Sequence, residues 1–121
     1  MKRHEIGNLG ERVAASYLRS NGYAIVETNY RCPYGEIDII ARKDATLVFV
    51  EVRTKTSTLY GSPEESITRN KVEHLLAVAD DFVTGHPGLP ADRRIDVIAI
   101  RLDPNGQLSS IEHIENAVEG R

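Results

Sequence analysis

The sequence contains one cysteine and no tryptophan, and only 6% of its residues are aromatic. The single cysteine, Cys32, excludes an internal disulfide and any zinc cluster built from several cysteines. No apolar run approaches the ~20 residues that a membrane-spanning helix requires. No apolar segment follows the basic N-terminus, so we expect no signal peptide. These absences favour a cytoplasmic protein.

The sequence also lacks an excess of positive charge. It has 15 Lys and Arg residues against 18 Asp and Glu residues, a net charge of −3. The molecule as a whole therefore does not attract a polyanion, and nucleic-acid binding would require a local basic patch. With 121 residues, the chain is long enough for one domain with its own core. We predict a single domain over 1–121, with a core over about 7–102 and a C-terminal edge strand and tail over 103–121.

Two apolar runs, 35–40 and 47–53, predict a β-hairpin, because Val, Ile and Phe dominate both and turn-forming residues separate them. A turn centred between Asp44 and Ala45 makes the numbers of paired residues sum to 89. One face of the hairpin is then wholly apolar, and it comprises Ile37, Ile39, Ala41, Val48, Val50 and Val52.

The same register places two carboxylates, Asp38 and Glu51, directly opposite each other, with Cβ atoms about 4.5–5.5 Å apart. Such a pair requires a cation between the carboxylates or a proton on one of them. A hard ion such as Mg²⁺ suits oxygen ligands of this kind. Glu36 is expected opposite Arg53, and a turn of odd length would separate the two acids. The alternative is two solvated acids on an open face, which apolar neighbours such as Phe49 argue against.

A first helix is predicted over 9–20, where apolar residues recur at helical spacing and Gly22 ends the pattern. Asn8 and Glu11 resemble a capping box at its start. Glu11 therefore has two interpretations. It is either the carboxylate of that box or an additional acid that leans towards the hairpin.

A second helix is predicted to begin at Thr68 and to stop near Gly85. Arg69 and Lys71 lie in its first turn, where cations oppose the helix macrodipole. An anion bound at that end would explain them, and a solvated polar face is the alternative. The polar segment 54–61 is either a phosphate-contacting loop or an ordinary one.

Three further strands are predicted over 23–30, 94–102 and 108–114, the last at an edge of the sheet. The order helix, strand, hairpin, helix, strand, strand predicts an α/β sandwich, a mixed central sheet flanked by helices. Asp96 has no matched partner and is expected to be structural. No shared metal-ligand spacing connects the four histidines, which are His4, His74, His86 and His113.

The segment 35–38, followed after twelve residues by 51–53, resembles the motif of the PD-(D/E)xK, or restriction-endonuclease-like, nuclease superfamily. That motif alone is weak, but the combination of motifs is specific. The wider pattern is similar to the YraN family of small bacterial proteins and covers roughly Gly7 to Ile100. The matching pieces are 10–12, 15–18, 29–31, 35–38, 49–53 and Lys71.

The resemblance implies a restriction-endonuclease-like fold close to archaeal Holliday-junction resolvases. It also implies a structure-specific endonuclease that uses Mg²⁺ or Mn²⁺ to hydrolyse DNA. Asp38 and Glu51 match the metal-binding acids, and Glu11 matches the first-helix acid of the resolvase-like branch. Arg53 occupies the position of the motif lysine, and because an arginine stays charged it cannot serve as a base. Lys55, two residues further on, is the alternative source of the cation.

The expected partner is DNA, branched or otherwise structured, and a resolvase would need two active sites and hence a homodimer. Two other functional classes remain open. One is a non-catalytic nucleic-acid-binding module that keeps the nuclease fold, and the other is a protein-interaction domain with structural carboxylates. The residues predicted to converge on the metal side and bind nucleic acid are Arg31, Arg53, Lys55, Arg69 and Lys71.

Overall fold

In the computed structural model of the protein, which describes residues 2–56 and 68–118, a helix leads into three strands and a second helix leads into two more. The predicted polar segment therefore lies largely outside the described residues. So do residues 62–65, whose Ser-Pro-Glu-Glu pattern predicts a helix start. The elements are α1 (Arg3–Ser20), β1 (Ala24–Cys32), β2 (Gly35–Lys43), β3 (Thr46–Lys55), α2 (Arg69–Gly85), β4 (Arg93–Leu102) and β5 (Leu108–Ile114).

The strands form one five-stranded mixed sheet in the order β1-β2-β3-β4-β5. Neighbouring strands are antiparallel except β3 and β4, which run parallel. A parallel pair requires a crossover connection, and α2 lies in the one between β3 and β4. The predicted α/β sandwich with a mixed sheet is confirmed, and β5 is an edge strand as expected. No helix in the described ranges is long and apolar enough to cross a membrane.

The sheet is buried on both faces, because α1 packs on one face and α2 on the other. In β3, Val48 and Val50 belong to the core on the α1 side, whereas Leu47 and Phe49 belong to the core on the α2 side. A strand buried on both faces needs apolar residues in succession. The run 47–50 therefore lacks the usual alternation of apolar and polar residues.

Helix α1 begins at Arg3, earlier than the predicted start at Leu9. The amide of Lys2 donates to the Glu5 carboxylate at 3.4 Å, so Glu5 serves the N-terminus of the helix. The predicted capping box of Asn8 and Glu11 is therefore wrong, because both residues lie inside the helix. Glu11 is thus not required as a cap.

The other predicted boundaries agree more closely with the structure. The helix ends before Gly22, whose φ of 85° suits a glycine. The Thr68 side chain caps α2 by accepting a hydrogen bond from the Lys71 amide at 3.1 Å. Strand β1 runs to Cys32, two residues beyond its predicted end, and Cys32 pairs with Gly35 there.

Gly10 sets the distance between α1 and β3. A Cβ added at Gly10 would overlap the side chain of Thr54, whereas one added at Gly7 would meet no atom within 4 Å. The absence of a side chain at Gly10 therefore lets the helix backbone rest directly on β3. This contact fixes the position of the adjacent residue, Glu11, over the sheet.

These two glycines provide a matched pair of substitutions. Gly10→Ala is expected to lower the free energy of unfolding by about 1–2 kcal/mol, because the overlap with Thr54 outweighs the helix propensity that alanine adds. Gly7→Ala gains the same propensity without an overlap and is expected to raise stability by about 0.5–1 kcal/mol. Urea denaturation measures both changes. Equal stability of the two variants would contradict the contact between α1 and β3.

Candidate functional site

The predicted hairpin register is confirmed. The paired residues of β2 and β3 run from Lys43 with Thr46 to Ile39 with Val50, and every pair sums to 89. Asp44 adopts a left-handed conformation in the two-residue turn, with a φ of 53°. The even turn length that keeps the two acids together is therefore present.

The pairing ends at Ile39, and the side chain of the preceding residue, Asp38, bonds to the backbone of β3 instead. The backbone N–H of Val52 donates to the Asp38 carboxylate at 2.7 Å. At the same point β2 changes the face that it presents, because Ile37 packs in the core on the α2 side and Ile39 in the core on the α1 side. The prediction that Ile37 shares the apolar face of the hairpin with Ile39 and Ala41 was therefore wrong. The strict alternation assumed for β2 fails at Asp38.

Strand β1 changes face at the matching position. Asn29 has a φ of 53°, in the left-handed region that asparagine tolerates better than most residues. Tyr30 packs against the ring of Phe82 on the α2 side. Thr28 instead lines a groove beside α1. Asn29 was matched to a family motif in the sequence but was assigned no role.

Glu51 is the buried acid of the pair and is 6% exposed. One of its carboxylate oxygens, Oε2, lies 3.3 Å from Arg53 Nη2 and 3.3 Å from Lys71 Nζ. Helix α2 contributes the lysine, and β3 contributes the arginine. The two cations provide the charged partners that a buried carboxylate requires.

Asp38 is held in a different electrostatic environment. Burial raises its pKa to about 7, and Glu51 and Glu11 contribute to the rise, whereas the hydrogen bond from Val52 opposes it. The neighbouring carboxylate of Glu51 thus adds to the raised pKa of Asp38, and two acids this close favour a proton on one of them. The site therefore favours a proton or another cation at Asp38.

Glu11 approaches this pair from α1. Burial raises the pKa of Glu11, the side-chain hydrogen bond with Asn29 opposes the rise, and Glu36 adds to it. Glu11 also contributes to the raised pKa of Asp38, so its carboxylate acts on the pair electrostatically. Of the two interpretations of Glu11, the structure favours the acid that leans towards the hairpin.

The predicted basic residues are divided among several places. Arg53 and Lys71 meet at Glu51, but Arg31 forms an ion pair with Glu36 at 3.0 Å. The expectation that Glu36 would hold Arg53 was wrong. The pairing of β2 with β3 ends at Ile39, and Glu36 lies beyond it. Two predicted residues line separate grooves: Lys55 a groove beside α1, and Arg69 a groove with Val72, Glu73 and Leu76.

Two carboxylates in contact suit a divalent ion, because Mg²⁺ is commonly bound by one or two carboxylates and keeps several waters. Asp38 and Glu51 provide that donor set, and the raised pKa of Asp38 indicates that the pair needs positive charge. Within 2–56 and 68–118, no group of three His, Cys, Asp or Glu side chains could hold a metal. Among the acids of the described residues, Asp38 and Glu51 are therefore the candidate donor pair.

Asp96 belongs to a separate, satisfied network. It is fully buried and bonds to Arg94 at 3.0 Å, to His113 at 2.7 Å and to the Asn116 amide at 2.9 Å. Burial raises the pKa of Asp96, but these partners bring it below its ordinary value overall. The structural role expected for Asp96 is confirmed. Its contacts join β4 to His113 in β5 and to Asn116 just after β5.

The family of the chain follows from comparison with known sequences. A family model described as "Uncharacterised protein family UPF0102" matches residues 10–100. The chain belongs to this family. UPF0102 is the YraN-like group that the sequence motifs indicated.

Several UPF0102 proteins are similar to this chain over nearly its whole length. One from Roseiflexus castenholzii is 47% identical, covering 98% of this chain and 96% of that protein. Another, from Caldicellulosiruptor saccharolyticus, is 40% identical, covering 97% and 99%. A third, from Geobacter metallireducens, is 44% identical, covering 94% and 92%.

Among solved structures, this UPF0102 protein is similar to Pyrococcus furiosus SfsA in complex with Ca²⁺. The TM-score is 0.41 and the identity 13%, and the match covers 93% of this chain and 63% of the SfsA chain. At that distance the likeness carries no argument about function.

The raised pKa of Asp38 predicts how the stability of this UPF0102 protein depends on pH without metal. A pKa of about 7 in the folded state exceeds the ordinary value of 3.8, so protonation stabilises the fold. This contribution is complete below about pH 4 and is lost as the pH rises through about 7.

Relative to Asp38→Asn, the wild type is expected to lose on the order of 2 kcal/mol of unfolding free energy between pH 5 and pH 8. Urea denaturation in EDTA measures the difference, and Asn mimics the protonated acid while keeping an acceptor for Val52. Parallel pH profiles for the two proteins would show that Asp38 titrates normally.

Proposed function

We propose that this UPF0102 protein is a divalent-metal-dependent endonuclease that hydrolyses phosphodiester bonds in structured DNA. The observation that carries the proposal is the bond from the Val52 amide to the Asp38 carboxylate, which holds Asp38 against β3 beside Glu51 where β2 leaves its ladder with β3. Two further charged residues, Arg53 and Lys71, lie beside that pair. The similarity to the PD-(D/E)xK motif supports the same reaction.

Asp38 and Glu51 would hold the ion. A bound Mg²⁺ or Mn²⁺ supplies an activated water and neutralises charge on the phosphate. The chain itself orients the first acid through the Val52 amide and keeps the second buried between two cations. Such fixed orientation of charged groups is how a site lowers the cost of reorganisation during reaction.

Arg53 and Lys71 have different chemical capacities at Glu51. Arg53 stays charged, so it can stabilise charge developing on the phosphate but cannot move a proton. Lys71 can exchange a proton, and it reaches Glu51 from α2 at the same distance as Arg53. We infer that Lys71 supplies the function of the lysine that the strand motif lacks.

A second candidate is a non-catalytic DNA-binding module. The observation that favours it is that Glu51 already has two cationic partners, which can stabilise a buried acid without any metal. A module of this kind binds DNA equally well in EDTA and in Mn²⁺. It cleaves none of the substrates described below.

The first test is cleavage of labelled DNA with Mn²⁺, using single-stranded, duplex, flap and four-way-junction substrates. Asp38→Asn and Glu51→Gln are each expected to lower the rate roughly 10²-fold or more, because each removes a charged ligand. Asp80→Asn is the control, since its exposed carboxylate pairs with Arg93 on the outer side of α2. If wild type leaves every substrate intact, or both site variants match the control, the enzyme proposal is wrong.

A second test separates the cations. Arg53→Lys is expected to keep substantial activity and Arg53→Ala to lose roughly 10²-fold in kcat, because charge at that position is what matters. Lys71→Arg keeps the charge but cannot release a proton, so it is expected to lower kcat with little change in KM. Steady-state cleavage over a range of DNA concentrations gives kcat and KM for each variant.

The control for these variants is Lys55→Ala, which is expected to weaken binding and leave the saturated rate unchanged. A fully active Lys71→Arg would remove the proton-transfer role. A fully active Arg53→Ala with an inactive Lys55→Ala would reassign the cation to Lys55.

A further inference from the structure

Two grooves flank α1, one on each side of the helix. The β3 groove lies between α1 and the end of β3, and the β1 groove lies between α1 and β1. Glu11 lines both. The polar residues of the β3 groove are Arg3, Glu11, Thr54, Lys55 and Thr56, and those of the β1 groove are Asn8, Glu11, Arg12, Arg19, Thr28 and Asn29.

The charge of these grooves differs from that of the whole protein. Among the described residues, Arg3 and Lys55 line the β3 groove, Arg12 and Arg19 line the β1 groove, and Glu11 is the one acid in either lining. The chain as a whole has more acidic than basic residues, 18 against 15. Four cations with one acid on a single side of an acidic protein form the local basic patch that a polyanion requires.

The uncharged members of the linings point to the same kind of ligand. Threonine hydroxyls and asparagine amides are common donors to phosphate oxygens, and they line the same grooves as the cations. The volumes, about 320 and 540 Å³, would also fit a small molecule. The four cations along these linings favour an extended chain of negative charge instead.

Helix stability does not account for all three arginines that α1 contributes. Arg19 lies in the last turn of α1, where a cation favours the macrodipole, but Arg3 lies in the first turn, where it opposes the macrodipole. Arg12 lies in the middle of the helix, where the macrodipole has little effect. A ligand that runs along the helix explains Arg3 and Arg12, which the macrodipole does not.

The grooves also meet beside the candidate ion site. Glu11 lines both grooves, and it acts electrostatically on Asp38. A phosphate chain lying in either groove therefore passes close to the acids. Glu51 and its two cations lie on the other side, where α2 packs.

We infer that the two grooves along α1 form the surface that holds the phosphate backbone of the DNA substrate. This inference rests on the proposed function and deepens it. It places the main docking surface on the α1 side. Of the residues expected from the sequence to bind nucleic acid, only Lys55 belongs to it. Arg3, Arg12 and Arg19 are the new contacts.

The test is the salt dependence of DNA binding, measured by fluorescence anisotropy with a labelled duplex and a labelled four-way junction in EDTA. One double variant removes both cations of the β1 groove (Arg12→Ala/Arg19→Ala). Another removes both cations of the β3 groove (Arg3→Ala/Lys55→Ala). The matched control, Arg42→Ala/Arg93→Ala, removes the same charge from exposed positions outside both grooves.

Each groove variant is expected to lower the slope of log K against log salt by about two, since each lost phosphate contact lowers it by about one. The control is expected to keep the wild-type slope. A slope that changes for one groove alone, or equally for the control, would overturn the surface described here.

Failure of the inference is distinguishable from failure of the proposed function. If wild type binds DNA and only Arg53→Ala/Lys71→Ala lowers the slope, the DNA lies on the α2 side and the inference alone falls. If wild type binds neither DNA probe at low salt, both the docking surface and the endonuclease proposal fall.

Discussion

The hydrogen bond from the Val52 amide to the Asp38 carboxylate determines the geometry of the candidate site. This bond lies just beyond Ile39 and Val50, the last pair of the β2–β3 ladder, and so it fixes Asp38 against β3. Strand β2 changes face at the same position, and β1 does so at Asn29. This geometry leaves the Asp38 carboxyl buried beside Glu51, and the pair therefore requires a proton or a metal ion.

The two helices supply the surroundings of the acid pair from opposite faces of the sheet. Gly10 allows α1 to approach β3, and this approach sets Glu11 near Asp38. Helix α2 brings Lys71 to Glu51, which also contacts Arg53. The asymmetry has a chemical consequence. The side towards α2 stabilises charge on Glu51, while the side towards α1 carries the exposed cations that we propose to hold the DNA backbone.

Much of the fold and the centre of the site could be predicted from the sequence, because they depend on local patterns. The register of β2 and β3 followed from the position of the turn, and it placed Asp38 near Glu51. The partners of Glu36 and Arg53 could not be predicted, since strict pairing ends where the Asp38 side chain bonds to Val52. Glu11 was ambiguous because its spacing from Asn8 imitates a cap, and only the start of α1 at Arg3 resolves it.

The most direct measurement is calorimetric titration of Mn²⁺ near pH 7 in two buffers of different ionisation enthalpy. If Asp38 and Glu51 form the ion site, wild type binds one ion per chain with net release of protons, because the ion displaces the proton that the pair shares. Asp38→Asn then binds at least about tenfold more weakly and releases none, while Asp80→Asn matches wild type. Equal affinity and equal proton release in wild type and Asp38→Asn, or no binding by wild type, would contradict a metal site at these acids.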